Sequence, residues 1–306
     1  MEKRFVSSII VSAVFVFLVF SACDKVDAPY VIHNQPIDTA KCPAPAFPAV
    51  NSHFKRVLLE DYTGHNCPNC PGGALIAHGL QNQYKDTLVL IAVHAGFFAK
   101  VSASDPLWKY DFRTDPGTDW DNFFQIAAVG NPNGMVNRKG YPKNQQVLSP
   151  SSWANAVKTS AAEAPLLDLQ IIINNDADQD YDELCIHTKT SFLQPISGRN
   201  LNLSVIITED SIIQPQKNSD PLVGATPQIL NYVHMHVLRG AVNGSWGTPV
   251  LLKENTSTTP VVKSFSVNLT TFNLNPVIPK NCHVVAFVYD TDTKEILQVA
   301  EEEIKE

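Results

Sequence analysis

Residues 57–70 read VLLEDYTGHNCPNC, an apolar run that leads into two cysteines separated by Pro-Asn. Beyond them, Ile76, Leu80 and Tyr84 recur every four residues, a spacing typical of one face of a helix. A second continuous apolar run follows from Leu88 to Val93. Continuous apolar strands on either side of a helix are typical of parallel strands that are covered on both faces. The segment therefore predicts a β-α-β unit in an α/β domain.

The cysteines Cys67 and Cys70 are the centre of the predicted chemistry. Their position directly after a strand places Cys67 near the N-cap of the helix and Pro68 at its first position. Helix-start N–H groups and the macrodipole favour a thiolate, and can lower a cysteine pKa from about 8.5 to between about 3.5 and 7.5. Cys67 is then suited to attack, and Cys70 to resolve a mixed disulfide.

Two other interpretations of this CxxC spacing stay open, a static structural disulfide and a metal site. A metal ion would need two further ligands, and the chain has no second CxxC motif. We therefore expect no metal and no cofactor at Cys67 and Cys70.

Asp61 and Pro132 are the other candidate site residues. Asp61 precedes Cys67 by six residues on the apolar strand, so a buried carboxylate beneath Cys70 could exchange its proton during resolution. The alternative is an exposed acid at the end of the strand. Pro132 falls between a helix and a short strand, where either a cis bond beside the sulfurs or an ordinary trans turn is compatible with the sequence.

The remaining pattern divides near residue 164. The first part adds a helix from about Thr118 to Gly130, a hairpin of residues 135–138 and 145–148, and a helix that opens at Ser149-Pro150. The second part contains extended segments centred on Leu169, Thr188, Leu203, His234, Phe265, Ala286 and Val299. Several of them alternate between apolar and polar residues, which predicts a β-sandwich. The long connection between Thr208 and Ile229 is predicted to form surface loops.

Four histidines are weaker candidates. His65 and His94 are predicted either to flank the CxxC motif and tune it or to lie on the surface. His234 and His236 alternate onto one strand face, for which we expect a hydrogen-bonded structural pair rather than a metal site.

The N-terminus is predicted to be a targeting segment. Lys3 and Arg4 precede a mostly apolar run, Phe5 to Phe20, which is shorter than the roughly 20 residues of a membrane span. The sequence Phe20-Ser21-Ala22-Cys23 resembles a bacterial lipobox, and predicts a signal peptide over 1–22 and lipidation of Cys23. Removal by an ordinary signal peptidase is the alternative. A proline-rich tether follows to residue 53.

Composition limits the partners and the redox chemistry. The chain has 306 residues, and 23 Lys plus Arg against 30 Asp plus Glu give a net charge of −7, so we expect no nucleic-acid partner. Export to an oxidising compartment makes Cys42, Cys67, Cys70, Cys185 and Cys282 disulfide candidates. Five is an odd number, so at least one of these thiols is free or bonded to another molecule. The alternating pattern around Cys185 argues against a core disulfide with Cys282.

Residues 54–164 resemble a thioredoxin fold in the order strand, CPNC, helix, strand, helix, Pro132, hairpin, helix. The resemblance implies that Cys67 attacks, that Cys70 resolves, that Asp61 is the buried acid, and that a cis Pro132 docks the substrate backbone. The sequence departs from that family, because Asn66 replaces the usual Trp, Pro-Asn replaces Gly-Pro, and Pro71-Gly72-Gly73 follows the motif.

The whole chain is similar to the Bacteroidetes outer-membrane lipoprotein family named after a twenty-eight-kilodalton outer membrane protein. The similarity rests on Tyr62-Thr63-Gly64 before CPNCP, on residues 232–239 and on residues 284–289. It implies a thioredoxin-like domain over 54–164, an immunoglobulin-like sandwich over 165–306, and a place at the outer membrane.

Two functions follow from these features. In the first, the protein is a thiol-disulfide oxidoreductase that acts on protein thiols or disulfides of the cell envelope and is held at the membrane by its lipid. In the second, it is a surface binding or adhesion lipoprotein whose CxxC disulfide is only structural. Solvent access to Cys67 and a low thiol pKa would favour the first function, and a buried, inert pair would favour the second.

Overall fold

The computed structural model describes residues 42–49, 54–174, 184–269, 272 and 275–305. The predicted signal peptide, Cys23 and most of the tether over 23–53 lie outside these ranges and stay predictions. Within the described ranges, no helix is long and apolar enough to cross a membrane.

The described residues form four α-helices and thirteen strands. The helices are α1 (Cys70–Tyr84), α2 (Asp115–Phe124), α3 (Ile126–Val129) and α4 (Pro150–Ala161). The strands are β1 (Val57–Thr63), β2 (Leu88–His94), β3 (Asn133–Val136), β4 (Leu167–Asn174), β5 (Leu184–Phe192), β6 (Leu201–Glu209), β7 (Ile212–Lys217), β8 (Gln228–His234), β9 (Val237–Ala241), β10 (Thr248–Leu251), β11 (Val261–Val267), β12 (Cys282–Asp290) and β13 (Ile296–Glu303).

One large sheet runs through both parts of the chain. Its strand order is β13-β12-β6-β9-β2-β1-β3, with β10 paired to β6. β2 and β9 meet in parallel at Ala92 and Val237, and the N–H of Ala92 donates to His236 O at 2.8 Å. The prediction of a mixed α/β protein with a β-rich second part is confirmed. The predicted domain bounds at 54–164 and 165–306 stay predictions, and the strands on either side of residue 164 share this sheet.

A second sheet of three strands, in the order β11-β5-β4, packs against the large one. The core between them is formed by apolar side chains of β4 and β5 on one side and of β6, β12 and β13 on the other: Leu167, Leu169, Leu184, Ile186, Leu203, Val205, Val284, Ala286 and Leu297. Alternation of apolar residues along these strands is the cause, because it turns one face of each sheet toward the other.

The predicted β-α-β unit is confirmed. β1 and β2 pair in parallel from Val57 opposite Leu88 to Thr63 opposite His94. Helix α1 packs Ala77 and Leu80 against them, and its residues Cys70 and Gly73 are also buried, whereas Ile76 of the predicted face is exposed. Small residues on the buried face let the helix lie close to the strands.

Two predicted helix starts are corrected. Helix α1 begins at Cys70 with Asn69 as N-cap, so Cys67 and Pro68 precede the helix and Pro71 occupies its first turn. Helix α2 begins at Asp115 rather than near Thr118. The Thr114 side chain there accepts a hydrogen bond from Gly117 N, which caps the first turn.

The predicted hairpin of residues 135–138 and 145–148 is reduced to a single bridge between Gly134 and Leu148. β3 pairs with β1 instead. Asn137 and Arg138 take positive φ angles of 50° and 53°, which ends the strand where the hairpin would have continued.

The predicted surface loops between Thr208 and Ile229 contain a strand, β7, that pairs with β8 in a two-stranded hairpin. Pro215 lacks a backbone N–H, and proline is disfavoured within strands. The sequence pattern therefore did not predict β7. The register shifts between Gln214 and Gln216, and this irregularity accommodates the proline. The segment 212–234 is called the β7–β8 hairpin below.

The structure defines the states of Cys42, Cys185 and Cys282. Cys42 and Cys185 form a disulfide with a Cα–Cα distance of 5.6 Å, which attaches the predicted tether to β5. Cys282 is free and buried, so the expectation of an odd thiol and the argument against a Cys185–Cys282 bond are both confirmed. Burial raises the pKa of the Cys282 thiol to about 12.

A buried ion pair connects β1 to the other half of the sheet. Arg138 Nη2 and Nε donate to the two carboxylate oxygens of Glu60 at 2.7 and 2.9 Å. Both side chains are almost fully buried. Four aromatic rings lie within 6 Å of the guanidinium carbon, those of Trp120, Phe124, Phe287 and Tyr289.

We predict that Glu60→Gln lowers the free energy of unfolding by roughly 3–5 kcal/mol, because it leaves the Arg138 charge buried without its partner. Urea denaturation measures the loss. The control is Asp111→Asn, which breaks the partly exposed ion pair of Arg113 and Asp111 and should cost less than about 1 kcal/mol. Equal losses of unfolding free energy in the two variants would contradict the prediction that the buried pair contributes more to stability than the exposed one.

The cysteine pairing predicts that a chain beginning at residue 24 has no thiol reactive toward Ellman's reagent while folded, and one per chain after denaturation in guanidinium chloride. The folded thiol of Cys282 is protected by burial and by its raised pKa. Cys282→Ala should remove the single thiol. Three reactive thiols in the denatured wild type would mean that one of the two disulfides is absent.

Candidate functional site

Cys67 and Cys70 form a disulfide between the end of β1 and the start of helix α1, with a Cα–Cα distance of 5.4 Å. The loop is shaped by backbone hydrogen bonds from Cys67 N to Gly64 O and from Asn66 N to Phe98 O. The close approach to this loop explains Gly64, because a Cβ there would lie 2.4 Å from the Phe98 carbonyl. The two cysteines are only 1% and 2% exposed, so solvent does not reach either sulfur in this conformation.

The β7–β8 hairpin covers the disulfide, and its first contact is the side chain of Gln216. Gln216 Nε2 donates to Cys67 O at 2.9 Å and to Gly64 O at 3.2 Å. The side chain is buried. It therefore connects the second part of the chain directly to the CxxC loop.

Backbone contacts extend this cover along the loop. Lys217 N donates to His65 O at 2.8 Å, and Ser219 N donates to Pro68 O at 2.9 Å. The Ser219 hydroxyl also lies 2.8 Å from Asn69 Oδ1. Sequence reasoning missed Gln216 and Ser219, because they fall in the segment predicted to be surface loops.

Asp61 lies on β1 and is 6% exposed. It lines a small cavity of about 40 Å³ together with Cys70, His78, Tyr232 and His234. A cavity of this size has room for at least one water molecule, for which about 10–15 Å³ suffices. Asp61 Oδ1 has no hydrogen-bond partner among the described side chains and backbone groups. Burial raises the pKa of the Asp61 carboxyl to about 7.

Pro132 lies beside helix α1. The Asn131–Pro132 peptide bond is cis. A Cβ on Gly73, one turn after Cys70, would lie 2.8 Å from Pro132 Cβ, so the proline ring packs directly on the helix backbone. The structure thus brings Pro132, Asp61 and the two cysteines to the same end of β1 and α1, and their predicted catalytic roles stay predictions.

Histidines surround the cavity on the hairpin side. His94 stacks on Phe112 with ring centroids 4.4 Å apart, and His234 lies 4.5 Å from the same ring. Burial lowers the pKa of His94, His65 and His234, that of His234 to about 3. These imidazoles are therefore neutral near pH 7. Both His65 and His94 are buried, so the alternative prediction that they lie on the surface is wrong.

The predicted pairing of His234 with His236 is not observed. His236 has a positive φ of 55° and lies beyond the end of β8. Its Nδ1 is 3.4 Å from Asp210 Oδ1, and its Nε2 is 3.1 Å from Gln81 Oε1. Asp210 has no sequence signal, because only the tertiary fold brings it to His236. Across the described residues, no group of three or more His, Cys, Asp or Glu side chains is arranged to hold a metal ion.

The raised pKa of Asp61 predicts a pH-dependent stability. The carboxyl ionises with a pKa near 3.8 in the unfolded chain and about 7 in the folded protein. Between those pH values the folded protein holds a proton that the unfolded chain has released, so stability falls as pH rises and the full penalty is present above about pH 7. We expect Asp61→Asn to remove this penalty. Its gain in unfolding free energy should be up to about 4 kcal/mol larger at pH 8 than at pH 4.

Urea denaturation at several pH values measures this difference. Asp86→Asn, a matched change at an exposed carboxyl, is the control and should show little pH-dependent gain. A gain from Asp61→Asn that is the same at pH 4 and pH 8 would mean that the carboxyl is not buried as described.

Three solved structures are similar to the chain. HBP35 of Porphyromonas gingivalis aligns at a TM-score of 0.55 and 17% identity over 83% of this chain and 76% of that one. At this identity the likeness shows the fold alone. A structural-genomics protein of Agrobacterium tumefaciens aligns at 0.49 and 10% identity over 83% of this chain and 97% of its own. A domain of the outer membrane lipoprotein Omp28 from Porphyromonas gingivalis aligns at 0.30 and 19% identity, over 46% of this chain and 89% of the domain.

No curated protein matches the sequence. The sequence profile of the family described as outer membrane protein Omp28 matches residues 121–306, more than half of the chain, and includes the strands of the large sheet from β6 onward. The chain therefore belongs to the outer membrane protein Omp28 family, as its sequence predicts, and its location is the outer membrane.

Proposed function

We propose that the protein is an outer-membrane lipoprotein, anchored through Cys23, that exchanges its Cys67–Cys70 disulfide with thiols or disulfides of envelope proteins. The observation that carries the proposal is the buried carboxyl of Asp61 in the cavity that Cys70 also lines, whose Oδ1 has no hydrogen-bond partner among the described residues. A carboxyl with a pKa near 7 can give or take a proton at neutral pH, whereas a purely structural disulfide has no use for such a group.

The thioredoxin-like interpretation of residues 54–164 is part of this proposal. The order β1, α1, β2, β3, α4 and the cis Pro132 beside helix α1 support it. The two packed sheets of the second part support the immunoglobulin-like sandwich proposed for residues 165–306. In this proposal the sandwich supplies the β7–β8 hairpin to the site and positions it at the envelope.

The reaction follows from the positions of the two sulfurs and Asp61. A substrate thiolate attacks Cys67 Sγ, the Cys67–Cys70 bond breaks, and Cys70 leaves as a thiolate that takes the proton of Asp61. A second thiolate of the substrate then attacks the substrate sulfur of the mixed disulfide. This forms the substrate disulfide and releases Cys67 as a thiolate. The substrate is oxidised by two electrons and the protein pair is reduced. The reverse sequence reduces a substrate disulfide, with Asp61 taking the proton of Cys70 before it attacks.

A second candidate function is that of a surface binding or adhesion protein with a structural CxxC disulfide. The burial of both cysteines beneath the hairpin supports it. Under this candidate the hydrogen bonds of Gln216 and Ser219 join the two parts of the chain permanently, and thiols of other proteins do not react with Cys67.

The reduction potential of the Cys67–Cys70 pair separates the two functions. We expect a value between about −120 and −270 mV, the span of dithiol enzymes, for a chain beginning at residue 24 and equilibrated with glutathione. Alkylation of Cys67, followed by mass spectrometry, measures the pair independently of Cys42–Cys185. In Cys67→Ser, Cys70 has no partner for this disulfide, so the variant should show no two-electron step at any glutathione ratio. A potential below about −300 mV would mark a structural disulfide and favour the binding protein.

A further inference from the structure

Two backbone N–H groups, at the end of β7 and just beyond it, connect the β7–β8 hairpin to the CxxC loop. Lys217 and Ser219, two residues apart, donate their backbone N–H groups to the carbonyls of His65 and Pro68. Alternate residues of an extended chain point their N–H groups to the same side, so any extended polypeptide can offer the same two donors. The face of the loop that carries these carbonyls is therefore a surface that recognises extended backbone.

Side chains of the hairpin add to this backbone recognition. Gln216 Nε2 reaches Gly64 O and Cys67 O, and the Ser219 hydroxyl reaches Pro68 O and Asn69 Oδ1 at 3.1 and 2.8 Å. All of these acceptors belong to the segment that carries the disulfide. The hairpin thus contacts the loop at Cys67 and on both sides of it, and Cys67 is 1% exposed in this arrangement.

Two residues with positive φ angles flank the base of the hairpin. Ser211, just before β7, has a φ of +64°, and His236, just after β8, has a φ of +55°. The N–H of His236 donates to Asp210 Oδ1 at 2.6 Å, which ties the two ends together. Within the described residues, β7 and β8 pair only with each other. An isolated two-stranded hairpin is marginally stable, so contacts outside it decide whether it stays in place.

The inner face of β8 also lines the cavity that contains Asp61. Tyr232 and His234 line that cavity with Asp61 and Cys70. Movement of the hairpin would therefore open the sulfurs and the proton-exchanging carboxyl to solvent together.

We propose that the β7–β8 hairpin is a gate that occupies the substrate-binding face of the CxxC loop, and that an extended segment of a thiol-bearing protein replaces it. This inference rests on the proposed thiol-disulfide exchange and adds the kind of partner: an unfolded chain or loop that presents alternating backbone N–H groups. Binding of that segment takes over the carbonyls of His65 and Pro68 and exposes Cys67 to the thiol of the same partner.

The first test weakens the gate and measures access to the disulfide. In the full chain, purified in detergent, Gln216→Ala combined with Ser219→Ala should speed the reduction of Cys67–Cys70 by glutathione about tenfold, because the lost hydrogen bonds raise the open fraction. Gln214→Ala, the same change two positions earlier on β7, is the matched control and should leave the rate within about twofold. Reduction of the buried Cys42–Cys185 disulfide in the same sample shows whether the protein has merely loosened.

The second test asks what replaces the hairpin. The probe is a synthetic peptide of alternating threonine and valine residues around one cysteine, and its control is the same peptide with every backbone nitrogen methylated, so that neither edge keeps an N–H group. The peptide thiolate forms a mixed disulfide with Cys67, and Cys70 becomes a thiol. We expect the unmethylated peptide to form this mixed disulfide at least about fivefold faster with the wild-type chain, because only it can donate to both carbonyls.

The outcomes separate the gate from the function on which it rests. Equal rates of Cys67–Cys70 reduction in the wild type and in the double variant would show that the hairpin is not a gate. Equal rates for the two peptides would show the same. In both cases the proposed thiol-disulfide exchange would stand. If glutathione fails to reduce the pair even in the double variant, thiol-disulfide exchange itself is wrong. A parallel acceleration of Cys42–Cys185 would mean general destabilisation and would also overturn the gate.

Discussion

The bidentate ion pair of Glu60 and Arg138 organises both parts of the protein around one buried charge. Trp120 and Phe124 of the first part and Phe287 and Tyr289 of β12 surround the guanidinium group. A buried charge requires its partner and close packing, so these side chains cannot separate without a large loss of free energy. β1 and β12 are thereby held around a common core, although other strands lie between them in the sheet.

The carboxyl of Asp61, the residue after Glu60, lies on the other face of the strand and has a different environment. Successive side chains of a strand point to opposite faces, so Asp61 turns away from Arg138 toward helix α1 and the disulfide. There its Oδ1 has no hydrogen-bond partner within the described part of the chain and burial raises the pKa of the carboxyl, whereas Glu60 accepts two hydrogen bonds from a cation. One strand thus carries a structural carboxylate and a proton-exchanging carboxyl side by side. The sheet that β2 and β9 share then allows the second part of the chain to place the β7–β8 hairpin over Cys67.

The fold could be predicted where physical constraints are local, and the candidate site could be predicted in part. Continuous apolar runs marked β1 and β2, and Ser149-Pro150 marked the start of α4, because burial on two faces and helix initiation both leave signatures within a few residues. The hairpin strand β7 was missed because Pro215 breaks the strand pattern and a bulge compensates for it only in three dimensions. Asp210, Gln216 and Arg138 were missed because each acts on residues far away in the chain.

Linear sequence patterns were enough to specify the β-α-β unit, the Cys67-Pro68-Asn69-Cys70 motif with Asp61 on the preceding strand, the β-rich second part and the membership of an outer-membrane family. These depend on periodicity, on short spacings and on residue chemistry, which a linear pattern contains. Three features came from the folded chain alone: the two parts share a sheet, Cys42 pairs with Cys185, and a hairpin contacts the CxxC loop. Those features depend on contacts between residues more than a hundred positions apart, and such contacts follow from how whole elements pack rather than from any local preference.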